Sequence, residues 1–452
     1  MALPAALAAA QPRNILFLFS DDQRADTIHA LGNDHIETPN LDSLVRRGTA
    51  FTRAYCMGGL QGAVCVPSRA MLMTGRPLWR IDEQMKGQAT WPEQFIQSGY
   101  TSFITGKWHN GPESLLRTFP AGGALFLGGM GDPFKLAFQD ITADHRLTRH
   151  ETKTGHHAVE EIADTAIHFL TSRRRDRPFL LYVAMEAPHD PRKAPPEFHK
   201  KYQTALPPLP ADFLPQHPFD NGEMTVRDEK LAPWPRTAEN IRSQLADYYA
   251  LITFMDSQIG RILKALESTG ALEDTLVVFS SDQGLALGSH GLMGKQNLYE
   301  SGMKVPLIIA GPDIPAGRRS DALCYLIDIY PTLGELNGVK PPAGSEGLSL
   351  AGVLNGKTSS HRPWILTGYR HVQRAITDGR WKLIRYPQVN VTQLFDLTTD
   401  PNELKDLSAL PEHAGQKAAL LTELRHQQTL HGDTLPLEVP HPLPAAWSPP
   451  TQ

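Results

Sequence analysis

Short apolar runs recur along the chain, and each is followed by polar or turn-forming residues. The first, at 14–20, reads NILFLFS and is followed by two aspartates. An uninterrupted apolar run of this length is typical of a strand buried on both faces, as in a parallel sheet. The same pattern occurs at 100–105, 179–185, 275–281 and 305–310. The pattern therefore predicts five buried strands.

Segments between these runs carry apolar residues at intervals of three and four, which is typical of amphipathic helices. This spacing predicts helices over 40–48, 157–172 and 240–269, the last of which stops at Gly270. Strands that alternate with helices indicate an α/β fold with a mainly parallel central sheet sandwiched by helices.

The pattern changes after about residue 360. Runs at 374–386 and 393–397 are separated by turn signals and indicate antiparallel strands, and a helix is predicted from 411 to 431. We therefore expect a larger α/β domain over 14–360 and a smaller C-terminal α+β subdomain with an antiparallel sheet over 361–435. The stretch 191–235 holds ten prolines and is predicted to be a long surface loop.

Both ends of the chain differ from the rest. Residues 2–10, ALPAALAAA, resemble the end of a secretory signal that lacks a basic region, so we expect 1–13 to be a signal remnant or a disordered tail. A periplasmic or secreted protein is favoured; a cytoplasmic location stays open because no complete signal peptide is present. Residues 436–452 hold six prolines and are predicted to be an extended or disordered tail.

Composition excludes several classes of protein. The 452 residues carry 44 basic and 48 acidic side chains, a net charge of −4, which excludes a strongly basic nucleic-acid binder and a polybasic membrane-surface protein. No apolar run approaches the roughly 18 residues of a membrane span. Three cysteines form neither a disulfide framework nor a four-thiolate zinc site. We therefore expect no nucleic-acid or membrane partner; the oligomeric state stays open.

Polar residues follow four of the predicted strands. Ligands in open parallel sheets lie beyond the carboxyl ends of the strands. The groups at that edge are Asp21 with Asp22, Lys107 with His109, His189, and Asp282 with Gln283. Carboxylate and amide oxygens suit a hard cation, Ca²⁺ or Mg²⁺, although an aspartate at such a position can also cap a helix or form a turn.

The remaining groups are cationic or can transfer protons: Lys107, His109, His189 and Lys295. A metal and several cations that face one cleft suit a tetrahedral oxyanion such as phosphate or sulfate. Such a cleft also needs an attacking group, and the segment CVPSR at 65–69 supplies one at the start of a predicted helix. A bare Cys65 thiol would be an unusual nucleophile beside a hard cation.

The segment 65–76, CVPSRAMLMTGR, resembles the signature of the type I sulfatases, the formylglycine-dependent arylsulfatase-like family of the alkaline phosphatase superfamily. A second signature of that family, G-K-W-H, is present at 106–109, and the segment 394–403, LFDLTTDPNE, is similar to a third. The resemblance covers residues 14 to about 410. In that family a separate formylglycine-generating enzyme oxidises the signature cysteine to Cα-formylglycine.

The resemblance implies roles for the candidate residues. The metal, usually Ca²⁺ and alternatively Mg²⁺, would be bound by Asp21, Asp22, Asp282, Gln283 and modified Cys65. The formylglycine hydrate would be held by Arg69, Lys107 and His109, while the sulfate and leaving oxygen would contact His189 and Lys295. One departure is Gln283, where better-known members commonly have Asn or His, and its longer side chain shifts the geometry.

The resemblance implies a sulfatase with an alkaline-phosphatase-like fold. It would hydrolyse a sulfate ester to an alcohol and inorganic sulfate through a formylglycine-sulfate intermediate. Alternatives are a phosphomonoester or phosphonate hydrolase of the same superfamily, and a non-catalytic protein that binds sulfated glycans.

The partners expected are the modifying enzyme and a sulfated small molecule or glycan, because long polar loops favour a carbohydrate. Candidate substrate-facing stretches are 128–132, 191–235, 289–291 and 369–371, although each is equally consistent with a solvated loop. Candidate substrate-binding residues within them are His290, Arg370 and His371.

Overall fold

The structure of the protein, a computed structural model, describes residues 12–450. The strands are β1 (Asn14–Ser20), β2 (Gly48–Tyr55), β3 (Gly58–Gly59), β4 (Thr101–Lys107), β5 (Gly122–Phe126), β6 (Gln139–Ile141), β7 (Leu147–Arg149), β8 (Phe179–Ala184), β9 (Thr275–Ser281), β10 (Lys304–Ala310), β11 (Arg318–Ser320), β12 (Cys324–Tyr325), β13 (Ile365–Tyr369), β14 (Gln373–Thr377), β15 (Trp381–Tyr386) and β16 (Val391–Asp396).

The helices are α1 (Pro39–Arg47), α2 (Cys65–Thr74), α3 (Trp91–Gln97), α4 (Pro112–Thr118), α5 (Ala158–Ser172), α6 (Pro196–Thr204), α7 (Ala238–Ser268), α8 (Glu300–Met303), α9 (Ile329–Asn337), α10 (Ala351–Leu354) and α11 (Ala414–His431). No helix within residues 12–450 is long and apolar enough to cross a membrane.

A large mixed sheet forms the centre of the molecule. Its strand order is β11-β2-β10-β9-β1-β8-β4-β5-β6-β7, and β12 pairs with β2. The middle of this sheet, from β9 to β5, is parallel. Strand β10 runs antiparallel to β9, although its apolar sequence resembles that of the parallel strands. The predicted α/β fold class is confirmed.

The apolar run of β1 supplies two cores because successive side chains point to opposite faces of a sheet. Ile15, Phe17 and Phe19 pack into the core that includes residues of α2, α3 and α9. Leu16 and Leu18 pack into the core on the other face, which includes residues of α1, α5 and α7. Burial on both faces therefore explains why this strand reads as a continuous apolar run.

A second sheet has the order β16-β15-β14-β13-β3, with its first four strands antiparallel. The two-residue strand β3 pairs with β13 in parallel, and Gly58 lies opposite Gly368. A Cβ atom at Gly58 would lie 2.1 Å from the carbonyl oxygen of Gly368, so only glycine allows this approach. The boundary near residue 360 stays a prediction, and this pairing links the segments on its two sides.

The proline-rich stretch 191–235 differs from the loop that was predicted. Its residues Pro196–Thr204 form α6, and Arg227–Leu231 form a 3₁₀ helix. Proline at the first position of α6 is compatible with a helix because that backbone N–H has no intrahelical partner. The prediction of a loop was wrong for these two segments.

The last described residues, 436–450, form neither helix nor strand but pack against the protein. Leu437 is 5% exposed, and the amide of Asp220 donates to the carbonyl of Ala445 at 2.8 Å. The tail is therefore an extended and packed segment as far as residue 450. Residues 1–11 of the predicted N-terminal segment lie outside the described residues.

Candidate active site

The parallel strands bring the predicted site residues to one edge of the central sheet. Asp21 and Asp22 follow β1, Lys107 ends β4, His189 lies beyond β8, and Asp282 with Gln283 follows β9. Helix α2 begins at Cys65 and packs beside this edge, where Arg69 reaches the carboxylates. Lys295 joins them from the loop between β9 and α8. Residues far apart in the chain therefore form one buried cluster.

Three buried carboxylates form the floor of the site. Asp21, Asp22 and Asp282 are each at most 1% exposed. The amide of Asp22 donates to a carboxylate oxygen of Asp282 at 3.0 Å, which links the ends of β1 and β9. Ligand atoms of Asp21, Asp282 and Cys65 all lie within 4.8 Å of one another. A second group with the same spacing is formed by Asp21, Asp22 and His189.

The unpaired oxygens of this cluster fit a divalent cation. Oδ1 of Asp21 and Oε1 of Gln283 are buried and have no hydrogen-bond partner among the described residues. Burial and, next, repulsion from Asp21 raise the pKa of Asp282 to about 7. A hard cation would remove this repulsion and satisfy the orphaned oxygens. The residues present therefore suit Ca²⁺ or Mg²⁺.

Cations surround the carboxylates. Lys107 Nζ contacts Asp21, donates to the carbonyl of Gly129 at 2.6 Å and lies 3.9 Å from Cys65 Sγ. Lys295 Nζ lies 2.8 and 3.0 Å from the two carboxylate oxygens of Asp22. Burial alone would raise the pKa of Asp21, but these cations, led by Lys107, hold it well below its ordinary value.

Arg69 contacts the carboxylates. Its Nε and Nη2 donate to one oxygen of Asp282 at 3.2 and 3.0 Å, and its Nη1 donates to the carbonyl of Lys107 at 3.2 Å. It thereby joins α2 to the ends of β9 and β4. The sequence resemblance assigned Arg69 to the formylglycine hydrate, and that role stays a prediction.

Cys65 and His109 form a close pair, with Sγ 3.1 Å from Nδ1. Burial and, next, the neighbouring charge of Lys107 lower the pKa of His109 to about 3. The imidazole is therefore neutral at pH 7. Burial also raises the pKa of the Cys65 thiol, so an unmodified Cys65 would be a weak nucleophile at neutral pH.

His189 is oriented by a backbone carbonyl. Its Nδ1 lies 2.8 Å from the carbonyl oxygen of Asp190, which favours a proton on that nitrogen. Nε2 lies 3.5 Å from Asp22. Burial lowers the pKa of His189, and the charge of Lys295 acts in the same direction. The free nitrogen therefore faces the cluster.

The three candidate substrate-binding residues lie in different surroundings. His290 is 5% exposed and stacks on Tyr299 with ring centroids 3.7 Å apart, which favours a structural role. Arg370 pairs with Glu223 beside Gly62, in the loop that leads to Cys65. His371 is exposed. Their roles in substrate binding stay predictions.

Two residues beside the cluster were not predicted to act in it: Gly129 was expected only as part of the substrate-facing stretch 128–132, and Glu186 was not singled out. Gly129 lies against His109, where an added Cβ would be 2.8 Å from ring atoms. Glu186 is buried two residues beyond β8. Its signal was an acidic residue at the carboxyl end of a predicted strand, whereas Gly129 has no sequence signal beyond a glycine-rich stretch.

A buried carboxylate cluster flanked by cations, at the carboxyl edge of a parallel sheet, suits the class of enzymes that act on esters of a tetrahedral oxyanion. Comparison with known families makes this specific. The Sulfatase family model matches residues 13–339, and the model "N-sulphoglucosamine sulphohydrolase, C-terminal" matches residues 288–429. The chain belongs to the sulfatase family and is a sulfuric ester hydrolase.

Several relatives extend over most of the chain. An N-acetylglucosamine-6-O-sulfatase from Bacteroides thetaiotaomicron is 27% identical, with 94% of this chain and 88% of the relative covered. A sulfatase from Formosa agariphila is 30% identical, with 86% and 82% covered. A solved structure described as a complex with D-glucosamine-2-N,6-O-disulfate has a TM-score of 0.80 at 25% identity and covers 95% of this chain and 100% of its own.

Proposed function

We propose that the protein releases sulfate from a sulfated carbohydrate and that Cys65 acts as formylglycine. The observation that carries this proposal is the position of Cys65 at the start of α2. Its Sγ lies 3.1 Å from a neutral histidine and within 4.8 Å of carboxylate oxygens of Asp21 and Asp282. A nucleophile at this point would meet a sulfate held between the carboxylate cluster and the lysines.

Maturation would require a formylglycine-generating enzyme as a partner. The hydrated aldehyde supplies two hydroxyls, one to attack sulfur and one whose deprotonation expels sulfate, whereas serine or cysteine would leave a stable ester. Asp21, Asp22, Asp282 and Gln283 would hold the cation, Ca²⁺ or Mg²⁺, which neutralises charge on the sulfate oxygens when bound.

The chain's own residues divide the proton transfers between two sides of the cleft. His109, neutral and beside Cys65, accepts a proton on the nucleophile side. His189 and Lys295 lie beside Asp22. We assign to them the protonation of the oxygen that leaves with the alcohol. Lys107, whose ammonium group is fixed by the carbonyl of Gly129 and lies 3.9 Å from Cys65 Sγ, holds the formylglycine hydrate. The atoms that each side chain faces support these proposed roles.

A carbohydrate substrate is supported by the relatives. The N-acetylglucosamine-6-O-sulfatase and the complex with a disulfated glucosamine point to sulfated amino sugars. A choline-sulfatase from Rhizobium meliloti, 29% identical with 93% of this chain and 87% of the relative covered, shows that the family also has members named for a small alcohol. A periplasmic or secreted location would fit a glycan substrate.

Hydrolysis of a phosphonate ester is the competing function. A phosphonate monoester hydrolase of Agrobacterium radiobacter has a TM-score of 0.73 at 20% identity, covering 93% of this chain and 96% of its own, which shows a shared fold alone.

The test of the proposed function compares kcat/KM for 4-nitrophenyl sulfate, 4-nitrophenyl phosphate and 4-nitrophenyl phenylphosphonate. We expect the highest value for the sulfate ester, and Cys65→Ala controls for other activities in the preparation. A higher value for the phosphonate or the phosphate would contradict the proposal.

A further inference from the structure

Glu186 stands apart from the other acidic residues. Both of its carboxylate oxygens are buried without a hydrogen-bond partner, a condition shared by no other carboxylate among residues 12–450. Its side chain belongs to a residue only 9% exposed, at the carboxyl edge of the central sheet. A buried, unsatisfied carboxylate costs folding free energy, so its presence calls for an explanation.

The surroundings of Glu186 form a small cavity beside the catalytic cluster. Gly129, His189 and Asp190 line it together with Glu186, and Met130 forms part of its wall. Met130 is 46% exposed, so this part of the wall is at the surface. A methionine side chain is unbranched and adaptable, so this part of the wall can adjust to a substrate group that enters the cavity.

Two charged side chains near the cavity, Lys107 and Arg227, already have other partners. Lys107 is engaged by Asp21 and by the carbonyl of Gly129. Arg227 is engaged by Asp190 and Asp228. Burial, with a smaller contribution from repulsion by Asp21, raises the pKa of Glu186 to about 7, while its own backbone amide and the charge of Lys107 oppose the rise. Among residues 12–450, no side chain donates a hydrogen bond to the Glu186 carboxylate.

We propose that Glu186 and this cavity form a substrate subsite for a hydrogen-bond donor, a hydroxyl or amino group, on the alcohol part of the sulfate ester. The proposal rests on the proposed sulfatase function. His189, which lines the same cavity, is the residue assigned to the leaving oxygen, so the alcohol emerges on this side. Sugars carry donors on carbons close to the esterified one, whereas an aryl sulfate such as 4-nitrophenyl sulfate carries none on its ring.

Selectivity between two substrates tests the subsite. In Glu186→Gln, the ratio of kcat/KM for glucosamine 6-sulfate to kcat/KM for 4-nitrophenyl sulfate should fall about tenfold or more, the usual effect of losing a hydrogen bond to a charged group. Glucose 6-sulfate separates the donors: an equal fall indicates a hydroxyl, and a smaller fall indicates the amino group. An unchanged ratio for both sugars would overturn the subsite.

A matched control is available in α7. Asp256 is also buried, burial raises its pKa to about 6, and its oxygens are satisfied by the backbone amide of Leu41 and by Asn40. Asp256→Asn makes the same change of charge away from the cleft and should leave the selectivity ratio unchanged. A fall as large as that in Glu186→Gln would show that the ratio responds to any loss of a buried charge, which would overturn the inference.

Stability gives a second readout that does not depend on turnover. Because Glu186 has no partner to lose, Glu186→Gln should unfold at the same urea concentration as the wild type or at a higher one. A lower midpoint would indicate a structural role and overturn the proposal. If the wild type hydrolyses neither ester, the sulfatase function itself fails; if it hydrolyses both and the variant keeps the ratio, only the subsite fails.

Discussion

Backbone conformation at single residues sets the direction of the reactive side chains. Asp22 and His109 have φ angles of 65° and 68°, in the left-handed region that residues other than glycine rarely adopt. Both lie just beyond a strand of the central sheet. The amide of Asp22 donates to Asp282, which helps to hold this unfavourable conformation. Strained conformations of this kind occur where surrounding contacts hold the backbone in place, and they are frequent at functional sites.

Gly129→Ala tests how closely His109 must be held. The added Cβ would lie 2.8 Å from Cε1 and Nε2 of His109, so the ring must move. We expect kcat/KM to fall about tenfold or more, since small displacements at a reacting centre are costly. In a His109→Ala background the same substitution should cause little further loss.

The control for this prediction is Gly415→Ala in α11, where no atom lies within 4 Å of the added Cβ. It should leave kcat/KM unchanged. An equal loss from Gly129→Ala with and without His109 would show that Gly129 acts through something other than the histidine ring.

At the scale of elements, α2 fixes Cys65 to the central sheet. Nine of its ten residues are buried. Ser68 donates to the carbonyl of Asp282 at 2.6 Å, and Arg69 donates to the Asp282 side chain. These contacts join the first turn of the helix to the end of β9. The helix therefore sets the position of Cys65 relative to the carboxylates.

The C-terminal segment 436–450 packs against the protein, which its high proline content did not predict. Leu437 packs with residues of the second sheet and α11, including Leu366 and Leu424. We expect Leu437→Ala to lower the free energy of unfolding by about 2–3 kcal/mol, as for other buried leucines. Leu443→Ala, at a residue 62% exposed, is the matched control and should cost much less. Urea denaturation of both variants measures the difference, and equal midpoints would contradict packing of the tail.

The hydrophobic pattern along the chain predicted where strands begin and end better than it predicted which strands pair and in which direction. The predicted bounds of β1 and β9 agree with the structure because each is a self-contained apolar run. The antiparallel direction of β10 and the pairing of β3 with β13 depend on contacts between distant segments. For the same reason the sequence revealed neither Glu186 nor the contact of Gly129 with His109, since both depend on neighbours elsewhere in the chain. The charged residues at the strand ends could be predicted as one site from the sequence, because the carboxyl ends of parallel strands lie at the same edge of a sheet.

At the scale of the molecule, buried histidines make stability depend on pH. Burial lowers the pKa of His217 to about 4 and that of His290 to about 3. The unfolded chain has histidine pKa values near 6.5, so below that pH it binds more protons than the folded protein. The free energy of unfolding should therefore fall as pH drops from 7 to 5, by up to about 1.4 kcal/mol per pH unit for each such histidine.

His217→Gln isolates one of these contributions. Urea denaturation gives the free energy of unfolding of the variant and the wild type at pH 7 and pH 5. This free energy should fall less in the variant, because the variant binds about one proton fewer on unfolding. An identical loss in both proteins would contradict the assignment of a depressed pKa to His217.

The most direct test of the whole account relates sulfate release to the chemical state of Cys65. Protein is prepared with and without a co-expressed formylglycine-generating enzyme, and mass spectrometry of the peptide that contains Cys65 gives the aldehyde fraction. Release of inorganic sulfate from glucosamine 6-sulfate should rise in proportion to that fraction, and Cys65→Ser and Cys65→Ala should release almost none. Full turnover by a preparation that carries only the unmodified thiol would contradict the account.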